Sequence, residues 1–239
     1  MYAWKTNERR RLSEEDILMH STAATVPIEL QSFCSGCSEV LPTLCDDAGR
    51  IEYVMKEMRG VLLNKSLFVE LMNGIVQGTG YPDARRPTMF DNELLLYSDA
   101  SGVFSLRLYL WGPGEYTYPH DHNSWGVLGT VTDGFEVINY RREDDGKREG
   151  YALLTEMERF TLRPGETTFT LPLDAGIHTT GNPGKVTAIT LNLYGKSNQR
   201  GYLQNFDIKE NRVQRVYPPR QKKIMLAANA MDHLKGASG

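Results

Sequence analysis

The sequence predicts a mainly β protein: a β-barrel or sandwich, preceded by a layer of helices and followed by one more helix. Two observations carry this. The hydrophobic period is close to 3.6 residues up to about Gly80 and changes to two from about Leu94. From there, seven or eight short alternating runs are separated by the turn signals "GPG", "DG", "RPG" and "NPG". Many short strands so punctuated close into a barrel or stack as two sheets. The expected division is 1–90 as a helical segment packed on the barrel, 91–217 as the barrel, and 218–239 as a C-terminal helix and tail.

The elements follow in chain order. "MYAWKTNERRRLSEEDILMH" is too charged to read as a secretory signal, so a cytoplasmic location is expected. Its cluster Arg9, Arg10, Arg11 reads as a solvated tail before a helix, or as a contact for an anionic partner. "VPIELQSFC" reads as a short helix. "IEYVMKEMRGVLL" places Ile51, Val54, Met55, Met58 and Leu62 at helical spacing, and "SLFVELMNGIV" repeats the habit. In "FSLRLYLWGPG", Phe104, Leu106, Leu108 and Leu110 alternate with Ser105, Arg107, Tyr109 and Trp111. The further strand candidates are "GVLGTVT", "FEVINYRR", "YALLTEMERFTL", "ETTFTL", "KVTAITLNLYG" and "GYLQNFDI". After "YPPR", the stretch "RQKKIMLAANAMDHL" reads as the last helix.

Composition narrows the function classes. With 239 residues, 40% of them hydrophobic, the chain can bury a sizeable core. A net charge of −3 argues against a general nucleic-acid binder. No apolar run is long enough to span a membrane. The three cysteines, Cys34, Cys37 and Cys45, fall within "CSGCSEVLPTLC". C-x-x-C can serve as a thiol redox pair or half a zinc site, but no further ligand lies nearby in sequence, and free thiols packed on a helix are the expectation.

The chain has five histidines, and two of them stand one residue apart in "YPHDHNSWGVLG". On an extended segment His120 and His122 project to one face, so both imidazoles can reach one ion. His178, in "LPLDAGIH", can add a third ligand from a distant strand. The pair alone is weak evidence, since core or surface histidines give the same string. The surrounding spacing adds to it.

That spacing resembles the cupin superfamily. Gly114, His120, His122 and Gly134 match its first motif, and Pro172, Gly176, His178 and Asn182 match its second with slightly shifted spacing. The resemblance implies a double-stranded β-helix, or jelly-roll, barrel. The superfamily's glutamate ligand falls at Gly126 or Val127, neither of which binds metal, and Glu136 lies further on. The implied metal ligands are His120, His122 and His178.

"LWGPGEYTYPHDHNSWGVLG" is similar to the thiol dioxygenases of the cysteine dioxygenase family, and within that family its H-D-H-x-x-W-G run more resembles bacterial members acting on 3-mercaptopropionate or similar thiols. The resemblance implies Fe(II), a small thiol and O2 as partners, and a sulfinic acid product. The family's Ser-x-His-x-Tyr run corresponds to Thr190, Asn192 and Tyr194 in "TLNLYG", which the resemblance marks as catalytic. Asn192 cannot exchange a proton as imidazole does. The cysteine that forms a cross-link in mammalian members falls near Gly126 or Val127, so no cross-link is expected. The arginine that binds substrate carboxylate falls near Leu94 and is not retained. Arg107, Tyr109, Trp111 and Trp125 are the substrate-binding candidates, with Arg85 and Arg86 of "DARRP" as loop cations.

Three neutral histidines on a divalent ion leave its charge uncompensated and positions open, which suits an anionic ligand beside O2. Zinc in the same set activates water, and nickel can occupy it in a purified sample, so ligands alone do not choose the metal. A different metal-dependent cupin enzyme acting on a non-thiol, and a non-catalytic cupin that binds metal or ligand, stay open.

Overall fold

The computed structural model describes residues 27–77, 90–198 and 200–236. Arg9, Arg10, Arg11, Arg85 and Arg86 lie outside them. Three helices lead the described chain: α1 (Ile28–Val40), α2 (Asp47–Leu62) and α3 (Lys65–Gln77). Asp46 caps α2 by accepting a hydrogen bond from the Gly49 N–H at 2.9 Å. Each helix buries one stripe: Leu30, Phe33, Cys34 and Cys37 on α1, and Ile51, Val54, Met58 and Leu62 on α2. The cysteines of "CSGC" are therefore core side chains. Burial pushes the Cys34 and Cys37 thiols up to about 12, while Cys45 is exposed.

Ten strands follow: β1 (Glu93–Ser98), β2 (Phe104–Trp111), β3 (Gly126–Thr130), β4 (Phe135–Arg142), β5 (Leu154–Leu162), β6 (Thr167–Thr170), β7 (His178–Gly181), β8 (Ala188–Gly195), β9 (Leu203–Asp207) and β10 (Arg212–Val216). They form one sheet in the order β1-β2-β8-β3-β6, a second in the order β5-β4-β7, and the hairpin β9-β10. Every pairing is antiparallel. This is the double-stranded β-helix barrel of the cupin type, with a helical layer on one sheet and a C-terminal helix, α4 (Pro219–Gly236). No helix among the described residues is long and apolar enough to cross a membrane.

Strand alternation divides the first sheet into two faces. Leu106, Leu108, Leu191, Leu193 and Val127 point to the helices and share a core with Leu30, Val54, Met58 and Leu62. Gly129 lets Leu62 approach the backbone of β3. The opposite face points into the barrel, where Tyr109, Trp111 and Leu128 meet Phe135, Val137 and Leu162. Each fully buried leucine or phenylalanine contributes about 1.5–3 kcal/mol.

β1, β7 and β10 were not among the strand candidates read from the sequence. "ELLLYS" does not alternate cleanly because a register shift between Leu95 and Tyr97 breaks the two-residue period. β7 is four residues of Thr and Gly beside its histidine, and β10 is a polar strand of a two-stranded hairpin. The periodicity signal is weak in all three.

Candidate metal centre

His120 precedes β3 on an extended segment and His178 opens β7. Their main chains pair directly: the His120 N–H donates to the His178 carbonyl at 2.9 Å and the His178 N–H returns the bond at 3.0 Å. His122, two residues on, projects to the same face. Its carbonyl accepts the Leu173 N–H at 2.8 Å, and Leu173 sits at φ 58° to make that contact. The left-handed region costs a leucine about 1 kcal/mol or more.

The three imidazoles are buried, with one ligand nitrogen from each lying within 4.8 Å of the others. His122 Nε2 and His178 Nε2 are 2.9 Å apart. Two nitrogens each about 2.1 Å from one ion, at right angles, stand about 3 Å apart. His120 Nδ1 lies 2.9 Å from the Tyr118 carbonyl, which assigns the proton to Nδ1 and leaves Nε2 as a lone-pair donor. Burial lowers His120, and it lowers His122 and His178 well below the ordinary histidine range. The neighbouring imidazoles add to the effect at both, and the Arg200 charge adds at His122. The set is therefore three neutral imidazoles, the protonation state a divalent transition metal requires. The donors fit such an ion.

Among the described residues no carboxylate joins this group. Asp121, between the two histidines, turns to the opposite face and pairs with Arg200 at 2.6 Å. Glu136 points away from the barrel interior and pairs with Arg159 at 3.2 Å.

The centre opens into a cavity of about 1180 Å³. Of the residues expected at the site, Arg107, Tyr109, Trp111, Asn192 and Tyr194 line it beside the histidines. Cross-strand register places them: Arg107 faces Asn192 and Ser105 faces Tyr194 across the β2–β8 pair. The Tyr194 ring stacks on His122 at 5.7 Å and 21°. Gly126 lies across from it on β3, and a Cβ there would stand 2.7 Å from the Tyr194 ring. Asn192 Nδ2 donates to Tyr194 Oη at 3.1 Å, while Asn192 Oδ1 is buried without a partner. Burial raises Tyr194, and raises Tyr109 well above the ordinary tyrosine value, so both stay protonated.

Two expected residues lie elsewhere. Trp125 packs in the core shared with the helices, against Gly195, and is not among the described residues that line the cavity. Its position next to Gly126 puts it on the other face of the strand from Tyr194. Thr190 lies deeper in the barrel, where its Oγ1 accepts the Trp111 Nε1–H at 3.1 Å, and it too is not among the lining residues. Arg107 is at the cavity, but its guanidinium pairs with the buried Glu93. Burial works against the Arg107 charge and Glu93 overrides it, so Arg107 is held above its ordinary value.

Sequence reasoning missed Glu93, Asp121, Arg200 and Asn123. Asp121 was legible in part: in H-x-H on an extended segment the middle residue points away from the ion and needs its own partner. Nothing local flags Arg200, whose contact spans 79 residues.

No family model matches the chain. Similar solved structures include the cupin domain of an XRE-family transcriptional regulator from Enterobacter cloacae, 16% identical over 44% of this chain and 96% of that one, with a TM-score of 0.31. The polyketide cyclase RemF from Streptomyces resistomycificus is 16% identical over 54% of this chain and 81% of that one, with a TM-score of 0.35. The DMSP lyase DddQ from Ruegeria pomeroyi is 13% identical over 45% of this chain and 48% of that one, with a TM-score of 0.33. Likeness at this level adds no argument about activity, and the fold assignment rests on the strand order.

Proposed function

We propose that the protein is an Fe(II)-dependent thiol dioxygenase, converting a small thiol and O2 to a sulfinic acid. The observation that carries the reading is the ligand set. Three neutral imidazoles leave the full charge of a divalent ion uncompensated: among the described residues no carboxylate joins the group, and Asp121 and Glu93 are committed to arginines. A thiolate supplies the missing negative charge. Fe(II) held by His120, His122 and His178 would supply the redox chemistry that joins the thiol and O2.

The chain supplies the rest. His120, His122 and His178 would hold the ion. Tyr194 lies against His122 and offers its hydroxyl to the reacting groups, oriented by Asn192. The aromatic and aliphatic wall of Trp111, Leu128 and Phe135 excludes water from the barrel side. Arg107 and Tyr109 position the substrate's far end. The overall step balances as RSH + O2 giving RSO2H, with sulfur oxidised by four electrons and O2 reduced by four.

A second reading, a metal-dependent enzyme acting on a non-thiol, is favoured by one feature: Arg107 is neutralised by Glu93 in a cavity far larger than a small thiol. Anaerobic reconstitution with Fe(II), followed by O2 uptake with cysteine, cysteamine and 3-mercaptopropionate, decides between them. One O2 consumed per sulfinate formed, with any of the three, supports the first. Loaded iron with no uptake from any thiol supports the second.

A further inference from the structure

We propose that Asp121, Arg200 and Asn123 form a latch that sets the spacing of His120 and His122 and thereby the affinity for the metal; this rests on the metal-site reading, not on the choice of reaction. Alternation puts the two histidines on the cavity face and Asp121 on the other, while Asn123, at the bend that follows, borders the cavity and also meets Arg200. The Asp121 carboxylate is fully buried there. Left alone, such a charge is costly. Both Arg200 end nitrogens donate to it, at 2.8 and 2.6 Å, and the Gln204 N–H donates at 2.8 Å.

The remaining Arg200 donor, Nε, goes to Asn123 Oδ1 at 2.8 Å. Asn123 Nδ2 returns to the carbonyls of Arg200 and Tyr202 at 2.8 and 3.0 Å. Main-chain bonds close the ring: the Asp121 N–H donates to the Gln204 carbonyl at 3.1 Å and the Asn198 N–H to the Asn123 carbonyl at 2.7 Å. The Tyr202 ring lies 4.9 Å from the guanidinium carbon. One planar fork thus grips both residues that alternate with the ligands. The ligand segment is fixed by Asn198, Arg200, Tyr202 and Gln204, and the imidazoles are held together before an ion arrives. Partners that orient ligands in this way typically account for about 10- to 100-fold in metal affinity.

Asp121 and Arg200 are positioning residues, so the test must separate positioning from mere stability. Co(II) serves as the probe, read by titration and by its ligand-field absorption. The variants are Asp121→Asn, Arg200→Lys, Asn123→Ala and the apolar pair Asp121→Leu with Arg200→Met. Lysine keeps the charge but lacks the fork. The apolar pair removes both charges together, which preserves stability better than removing one. We expect Co(II) affinity about 10- to 100-fold lower in Arg200→Lys and in the apolar pair, with a changed absorption band. The metal-free melting temperature of the apolar pair should stay near that of the wild type. Wild-type affinity and absorption in the folded variants would overturn the latch. If the buried-pair variants do not fold, Asn123→Ala decides alone: unchanged affinity overturns the latch and a loss supports it. A wild-type protein that takes up no Co(II) overturns the metal site itself, a separate result.

Discussion

Tyr194 and His122 lie face to face, 5.7 Å between ring centroids and 21° between planes, so one wall of the metal centre is an aromatic ring carrying a hydroxyl. The contact ties β8 to the ligand segment before β3. It also separates two functions of Tyr194, packing by the ring and hydrogen bonding by Oη.

Replacing Tyr194 by Phe keeps the ring and deletes the hydroxyl that accepts from Asn192. Metal content should be unchanged, and turnover of the accepted thiol should fall about 10- to 100-fold, the worth of one well-placed hydrogen bond. Metal analysis alongside steady-state O2 uptake checks both halves. Full activity in Tyr194→Phe would remove the hydroxyl from the mechanism.

Gly126→Ala places a methyl group 2.7 Å from the Tyr194 ring. The ring must shift, and with it the stack on His122. Overpacking of this kind costs about 1–3 kcal/mol. Thermal unfolding of the metal-free variant should show the loss, and an unchanged melting temperature would mean that the ring moves freely.

The thiols should react in two classes. Cys34 and Cys37 are buried, with thiols pushed up to about 12, whereas Cys45 is exposed. At pH 8 the buried pair carries only about one thiolate in ten thousand. A thiol reagent should therefore label Cys45 in the native protein and all three cysteines after denaturation. Rapid native labelling of Cys34 or Cys37 would contradict their place in the core.

Asp144 gives a stability prediction with a definite sign. Its carboxylate accepts both Arg142 Nε and Nη2, at 3.0 and 2.9 Å, and the N–H groups of Leu153 and Gly146, which hold its pKa down from 3.8 to about 2. A depressed carboxyl stabilises the fold above its unfolded value, and the contribution is lost as pH falls from about 4 through about 2. Asp144→Asn should cost about 1–2 kcal/mol at pH 7, and the gap should close toward pH 2. Urea unfolding across that range checks it, and a gap independent of pH would count against the pairing.

Much of this architecture was legible in the sequence because its signals are local. The stripe Ile51, Val54, Met58, Leu62 and the alternation through Phe104–Trp111 each reflect one element facing one core. That Arg107, Tyr109 and Trp111 share one strand face followed from the same alternation, and all three line the cavity. What stayed hidden is non-local. Glu93 meets Arg107 across β1 and β2, and Arg200 reaches Asp121 across 79 residues. Trp125 stands beside the ligand motif, yet one residue of alternation turns it to the core shared with the helices.

The most direct test of the account is anaerobic equilibrium dialysis of the metal-free protein against Fe(II), with His120→Ala, His122→Ala and His178→Ala in parallel. One ion per wild-type chain, with occupancy lost in each of the three variants, is the predicted result. Full iron occupancy in His178→Ala, or no uptake by the wild type, would contradict the three-histidine centre and the chemistry built on it.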